Sequence, residues 1–455
     1  MPNVKFPAHI FKAYDIRGLV DTELTADLYY RIGRAAVVYS GAKRVCVGYD
    51  IRPSSIPYKE ALIRGVLDQG GDALDIGLVS TPILNIMTIR DETVDLGMMV
   101  TASHNPQEYN GCKFVHKRTM MPIGLDSGLD RIRDMVEKYE FVDAAPGAVT
   151  TADVTTPYLD FICSLVNLGA IKPLKVVIDT GNGIEGVLID DLLGRVPVQP
   201  RYLFKEPDGR FPNHEPNPIK HETLKDLQRE VVASGAHMGF AFDGDADRIG
   251  LVDETGAIIP GDLILALLVR ALVQGEEKPK VLYDLRSSLV VKEVTEELGG
   301  QAIETRVGRA HIIQEMRKEA AVLGGELSNH FYFRDTYGFE SGDLTLLCIL
   351  QLVSQSNQPL SALMADLRRY YHSGEINFEV TDKDGIIKRL EKQYSEAAKR
   401  VSKLDGIKIE FADWWFNVRK SNTEPLLRLV LEAKTKELME EKVREVRGVI
   451  EEKRI

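Results

Sequence analysis

The residues able to do chemistry fall in a few short polar loops. Thr101-Ala102-Ser103-His104-Asn105-Pro106 follows the apolar run LGMMV, with Asn110-Gly111 and Lys113 close behind. A serine at a strand end is exposed enough to act as a nucleophile or carry a phosphoryl group. Asn-Pro fixes an extended backbone at Asn105, and Lys113 is placed to neutralise charge on that oxygen or on a transferring phosphate. Adjacent Ser and His do not make a hydrolytic triad, which needs a third orienting group in space. The pair alone reads as a polar turn; the whole loop with its lysine is what makes the signal specific.

Asp243-Gly244-Asp245-Ala246-Asp247-Arg248 follows the apolar HMGFAF. Three carboxylates at alternate positions repel one another unless they share a cation, and their hard oxygens suit Mg²⁺ beside a phosphate. A calcium loop of the EF-hand type is a decoy: Glu254 falls at its twelfth position, but Arg248 stands where that loop requires glycine. Gly181-Asn182-Gly183-Ile184-Glu185-Gly186 matches a dinucleotide fingerprint, yet no second strand with a closing acidic residue stands at the usual spacing. A tight strand-to-helix turn is the better reading. Gly325-Glu326-Leu327-Ser328-Asn329-His330 offers acceptors and a donor suited to sugar hydroxyls, with His330 able to exchange a proton near neutral pH. Arg419-Lys420-Ser421-Asn422-Thr423-Glu424-Pro425, with Arg428, has the donor density of a phosphate cradle.

The elements that must hold these loops alternate between strand and helix. Apolar runs at Arg44–Gly48, Leu96–Val100, Lys175–Ile178, Met238–Phe242 and Lys280–Tyr283 predict buried strands. Tyr58–Gln69, Leu129–Tyr139, Leu263–Val273 and Ser361–Tyr370 carry helical patterns. Three times a strand runs directly into a polar loop, which predicts three similar α/β domains with ligands beyond the strand ends. Val142–Thr156 reads as a linker and Asp253–Gly256 as a turn. Beyond Tyr371–Glu375 the alternation ends, and a smaller α+β unit closes with a charged helix at Lys436–Lys453.

Composition sets the frame. The 455 residues are 44% hydrophobic and 27% charged, enough for about three domains or four small ones. Lysine and arginine total 57 against 68 acidic residues, a net charge of −11. That balance argues against a nucleic-acid or acidic-membrane binder, so an anionic ligand must be gripped by a few placed cations. The four cysteines, Cys46, Cys112, Cys163 and Cys348, form no metal or disulfide pattern, which predicts a reducing, cytoplasmic setting. No apolar stretch has the length of a signal peptide core at the N-terminus or of a membrane span.

Taken together, KAYDIRG (Lys12–Gly18), GYDIRPSS (Gly48–Ser55), TASHNP, DGDADR, GELSNH and RKSNTEP resemble the α-D-phosphohexomutase superfamily, most closely its phosphomannomutase/phosphoglucomutase branch. The resemblance implies four domains around a central cleft: three similar α/β domains with mixed sheets and a smaller C-terminal α+β domain. The expected bounds are 1–150, 151–253, 254–370 and 371–455. It implies a phosphorylated Ser103 and Mg²⁺ on Asp243, Asp245 and Asp247 with a phosphoserine oxygen. Tyr14, Arg17, His104, Lys113 and Arg248 would line the reaction centre, with Glu326 and Ser328 on sugar hydroxyls. Arg419, Ser421, Asn422, Thr423 and Arg428 would grip the phosphate that is not being transferred. The implied reaction interconverts hexose 1- and 6-phosphates of mannose or glucose through a hexose 1,6-bisphosphate, which also serves as activator. Arg286 and Arg309 stand where many relatives carry Lys and His, and Asn329 where Gly or Ala is common, which leaves the preferred hexose open. Phosphoglucosamine mutase and a non-catalytic phosphosugar-binding protein are the alternative readings, with an oxidoreductase or a phosphatase further off. The expected partner is a small phosphosugar, with no nucleic acid or membrane, and the oligomeric state is open.

Overall fold

The protein is described by a computed structural model covering residues 6–421 and 426–452. Leu96–Val100 is buried at every position, as a strand covered on both faces must be. It belongs to a mixed sheet ordered Ile16–Leu19, Tyr109–His116, Leu96–Val100, Arg44–Tyr49, Asp72–Leu78, Val149–Thr151. The last four strands are parallel, whereas Tyr109–His116 runs antiparallel to Leu96–Val100 with Val100 opposite Cys112 and Met99 opposite Lys113. The segment carrying Ser103 is therefore the connection of a wide hairpin at the carboxyl end of a central strand, where α/β sheets bind ligands. The register brings Lys113 back beside it. Helices Ala26–Ser40 and Ser55–Asp68 cross at two glycines: a Cβ on Gly33 would lie 2.2 Å from the Leu62 carbonyl oxygen, and one on Gly65 2.0 Å from that of Tyr30.

The second sheet is ordered Ile258–Ile259, Ile249–Asp253, Met238–Phe242, Lys175–Asp179, Gln199–Leu203. Met238–Phe242 is parallel to Lys175–Asp179 and antiparallel to Ile249–Asp253, with Phe242 opposite Ile249. Asp243–Arg248 is thus the closed end of a β-hairpin, and no helix flanks it as an EF-hand would require. Gly181–Gly186 is the expected turn, between Lys175–Asp179 and helix Glu185–Leu193. The loop bearing His214 and Pro216 fills the space beside it, with Pro216 3.1 Å from where a Gly181 Cβ would stand.

The chain forms two compact units: residues up to Pro260 with Ser328–Ala362, and Gly261–Leu327 with the residues from Leu363 onward. In the latter, Gln301–Thr305, Lys280–Asp284 and Leu323–Gly325 pair in parallel, accompanied by helices Gly261–Leu272, Leu289–Glu297 and Arg309–Glu319. The C-terminal sheet is antiparallel, ordered Tyr371–His372, Leu427–Ala433, Trp414–Lys420, Ile407–Glu410, Arg400–Ser402, with Ile376–Phe378 also on Leu427–Ala433. Helices Lys383–Tyr394 and Lys436–Glu451 cover its apolar face, where Phe416, Val418, Leu429 and Leu431 meet Leu390 and Val446.

Two expectations are corrected. Val142–Thr156 is not only a linker, because Val149–Thr151 adds a parallel edge strand to Asp72–Leu78. Its three side chains are exposed, so backbone pairing holds it and no apolar alternation announces it. The helix expected over Ser361–Tyr370 spans only Leu360–Met364. The chain unwinds beyond it, where Arg369 and Tyr370 bond to Glu293, and Arg369 also to Glu297. Among the described residues no helix is long and apolar enough to cross a membrane.

Helix starts bring two acids together in the first unit. Glu185 and Asp343 both lie in the first turns of their helices, where the macrodipole favours carboxylates, and both are buried. Asp343 accepts a 2.6 Å hydrogen bond from the Tyr158 hydroxyl. Neither Glu185 oxygen has a hydrogen-bond donor, and Asp343 adds its negative charge to the same buried surroundings. Burial, then the Asp343 charge, pushes Glu185 well above its ordinary value of 4.5. Folding therefore binds a proton that the unfolded chain releases above that value. The stability this supplies is full at lower pH and declines as pH rises, by up to about 1.4 kcal/mol per pH unit. Glu185→Gln keeps a donor and has no proton to lose. In thermal melts at pH 6 and pH 8, the variant is expected to gain on the wild type at the higher pH; an unchanged difference would remove the buried proton on Glu185.

Candidate active site

Ser103 sits in the left-handed region at φ 50°, a conformation a serine adopts only when its surroundings impose it. Its N–H donates to Thr101 Oγ1 at 2.9 Å, and that hydroxyl donates to Asp50 Oδ2 at 2.7 Å. Arg52, only 1% exposed, fixes the other side of the loop. Its Nη2 donates to the carbonyls of Ser103 (2.9 Å) and Asn105 (2.5 Å), and its Nη1 to those of Pro106 (2.7 Å) and Tyr109 (3.0 Å). Asp50 neutralises that guanidinium, and the Phe211 ring lies 5.0 Å from it. Arg17 holds the opposite flank, donating to the Ala102 carbonyl and, at 2.9 Å, to Asn105 Oδ1, with Asp15 as its counter-ion. Gly244 of the aspartate loop packs onto the same backbone, since a Cβ there would stand 2.4 Å from the Ser103 carbonyl oxygen.

The serine oxygen so placed donates to Asp243 Oδ2 at 2.8 Å. With that proton spent, it accepts from His104 Nδ1 at 3.1 Å. Burial, then the charges of Arg248 and Arg17, holds His104 well below its ordinary pKa, so the ring is neutral. Asp243, Asp245 and Asp247 are buried, and each offers an oxygen within 4.8 Å of the others. Burial, then the charges of Asp247 and Asp245, pushes Asp243 well above the usual carboxylate range. Burial would raise Asp247 too, but Lys113, His330 and Arg248 together hold it well below. Lys113 donates to Asp245 Oδ2 at 2.5 Å and Asp247 Oδ2 at 2.6 Å, which brings its charge onto the aspartates that face the serine. Thr81, at the start of helix Thr81–Arg90, bonds the same Asp245 through its hydroxyl and its N–H. Oδ1 of Asp245 and Oδ1 of Asp247 are buried without a hydrogen-bond donor. Two orphaned oxygens in an all-carboxylate set fit a hard divalent cation such as Mg²⁺.

His330 closes this centre. Its Nε2 accepts from Arg248 Nε at 3.1 Å and lies 3.3 Å from Asp247 Oδ1, while its Nδ1 is 3.3 Å from Ser328 Oγ. Asn329 beside it has φ 65°, a left-handed conformation that Asn tolerates better than most residues with a side chain. Tyr14, half-buried, precedes Ile16–Leu19 on the Arg17 side.

The second unit holds a separate cationic cluster. Arg286, Arg419 and Arg428 converge on Glu375 at 3.4, 2.9 and 3.0 Å. Asp284 takes the other edge of Arg286 at 2.6 Å. Glu326 lies 3.9 Å from Arg286 and accepts from the Gly308 N–H at 3.1 Å, just before Arg309 opens its helix. The Ser421 N–H bonds the Leu426 carbonyl at 2.9 Å, and Asn422 and Thr423 lie outside the described residues. Sequence assigns no role to Asp50, Arg52, Thr81 or Glu375, although the first two lie within GYDIRPSS. The first two follow the apolar VCVGY run, which is a usable signal; Thr81 and Glu375 have none.

Four family models cover nearly the whole chain, described as phosphoglucomutase/phosphomannomutase α/β/α domains I, II and III at residues 8–143, 156–256 and 260–371, and the C-terminal domain at 375–449. A protein named phosphomannomutase from Salmonella montevideo is 39% identical over 448 residues, covering 94% of this chain and 98% of the relative. Another of that name from Methanocaldococcus jannaschii is 36% identical over 445 residues, covering 97% of each. A crystal structure of a phosphoglucomutase/phosphomannomutase family protein from Burkholderia thailandensis superposes with a TM-score of 0.89 at 31% identity, covering 98% of this chain and 97% of that one. With all four domains matched in order, the chain belongs to the phosphoglucomutase/phosphomannomutase family of isomerases.

Proposed function

We propose that the protein interconverts hexose 1-phosphate and hexose 6-phosphate, of mannose, glucose or both, through a phosphoserine at Ser103 and a hexose 1,6-bisphosphate. The observation that carries this reading is the Ser103 oxygen, held in a left-handed turn 2.8 Å from a buried three-aspartate nest. A nucleophile in that setting suits phosphoryl transfer, which is mostly a matter of positioning and charge.

In the forward half-reaction the bond between phosphorus and Ser103 Oγ breaks, and phosphorus bonds to the free sugar hydroxyl. The hydroxyl proton passes to His330 at Nε2 once substrate takes the place of Arg248 on that nitrogen. The bisphosphate then presents its other phosphate: the bond from that phosphorus to the sugar oxygen breaks, phosphorus bonds to the Ser103 oxygen left anionic by the first step, and the proton on His330 passes to the freed sugar oxygen. Mg²⁺ held by Asp243, Asp245 and Asp247 would supply positive charge opposite the transferring oxygens. Lys113 and Arg17 add fixed charge beside the reacting serine, and His104 orients its oxygen. Glu326 and Ser328 read sugar hydroxyls, and Arg286, Arg309 and Tyr14 border the substrate. Arg419, Ser421 and Arg428, with Asn422 and Thr423, hold the phosphate that stays.

Purified protein with Mg²⁺, a trace of glucose 1,6-bisphosphate, and mannose 1-phosphate or glucose 1-phosphate is expected to yield the 6-phosphate. Including glucosamine 1-phosphate ranks the three sugars. Ser103→Ala is expected to lose most turnover, at least about a hundredfold, with an unchanged melting temperature; full activity would end the phosphoserine reading. Asp245→Asn is expected to raise the Mg²⁺ concentration for half-maximal rate by roughly tenfold or more, since it removes one oxygen of the nest. Arg419→Ala is expected to raise KM for both 1- and 6-phosphates by about tenfold, the scale of one charge-assisted contact. A change confined to kcat would move Arg419 out of substrate binding.

A further inference from the structure

Arg419 and Arg428 stand directly opposite each other on neighbouring antiparallel strands. Like charges at facing positions repel, and here burial worsens the cost: the two side chains are 2% and 17% exposed. Arg286 brings a third guanidinium, 7% exposed, to the same point. One carboxylate is shared by all three. Glu375 Oε2 meets Arg419 Nη2 at 2.9 Å and Arg286 Nη1 at 3.4 Å, while Oε1 meets Arg428 Nη1 at 3.0 Å. Among the described residues, three other acidic groups act on this cluster. Asp284 forks onto the far edge of Arg286, Glu326 stands 3.9 Å from Arg286, and Asp405 acts on Arg419 at longer range. Glu375 is placed at the turn before Ile376–Phe378, the short strand beside Arg428 on the opposite side from Arg419.

Two oxygens of one anion bridging several guanidinium forks is the geometry a phosphate would take. We propose that Glu375 is a resident stand-in for phosphate: it holds the three arginines converged when the site is empty and competes with the incoming phosphate for them. The inference rests on the mutase reading for its purpose. A bisphosphate that must leave this cradle and return reversed cannot be held too tightly, and a built-in competitor weakens the hold without dispersing the arginines. Burial would raise Glu375, but the three arginines keep it below its ordinary value, so the competitor is charged across the neutral range.

The competitor and a merely structural counter-ion differ in sign. Removing a structural carboxylate lets the arginines splay and weakens phosphate binding; removing a competitor strengthens it. The experiment is calorimetric titration of inorganic phosphate into the full chain, with the Arg419→Ala protein as the background for phosphate bound elsewhere. Glu375→Gln is expected to lower the phosphate Kd at the Arg419-dependent site by roughly tenfold. In turnover, KM for hexose phosphates is expected to fall together with kcat, because release becomes slow. Glu375→Asp keeps the charge with a shorter reach and is expected to fall between the two. If the Gln variant does not fold, the Asp variant decides, since a lower Kd than wild type supports the competitor. An unchanged or raised Kd in the folded variants overturns the proposal. The titration needs no turnover, so it stands or falls apart from the mutase assay.

Discussion

Three carboxylates within 4.8 Å of one another, all buried, are the constraint on which the reaction centre depends. In a low-dielectric site their repulsion and lost hydration are tolerable only if cations are brought to them. The fold does this from several directions. Lys113 arrives by the register of the antiparallel strand Tyr109–His116, and Arg248 by the closing residue of the aspartate hairpin itself. The balance is incomplete, as Asp243 is pushed upward and two carboxylate oxygens lack donors. That residual deficit is what a divalent cation would fill.

The serine is held by a different economy, in which backbone carbonyls rather than charges are gathered. Arg52 donates to four carbonyls of one loop, Asp50 both neutralises Arg52 and orients Thr101, and Thr101 fixes the serine N–H. A left-handed serine is strained, and these contacts over-determine its backbone. The result is an oxygen whose position is set before any substrate arrives, which is how positioning lowers a barrier to group transfer.

The arginine cluster applies the same physics with the signs exchanged. Three buried cations converge on one shared carboxylate, with Asp284 on the far edge of Arg286, where in the first unit three carboxylates are made tolerable by a lysine and its neighbours. Both clusters gather like charges at one fixed point, and each gathered charge is opposite in sign to what it would bind: a metal cation in one, a phosphate in the other.

The loop chemistry was legible in the sequence because each loop is contiguous. TASHNP and DGDADR carry their functional atoms within six residues and follow runs whose burial dictates a strand. Strand–helix alternation predicted the α/β units, and its end near Tyr371 marked off a smaller α+β unit. The edge strand Val149–Thr151 and the early end of the helix at Met364 were not legible, since backbone pairing and distant ion pairs decided them. Sequence could propose that Ser103, Lys113 and Asp243 act together; only the tertiary structure could bring residues 140 positions apart to 2.8 Å. It alone could also show that Arg52 grips the serine loop and that Glu375 sits among three arginines. Those contacts join segments far apart along the chain, and no local pattern records a charge whose partner is supplied by the fold.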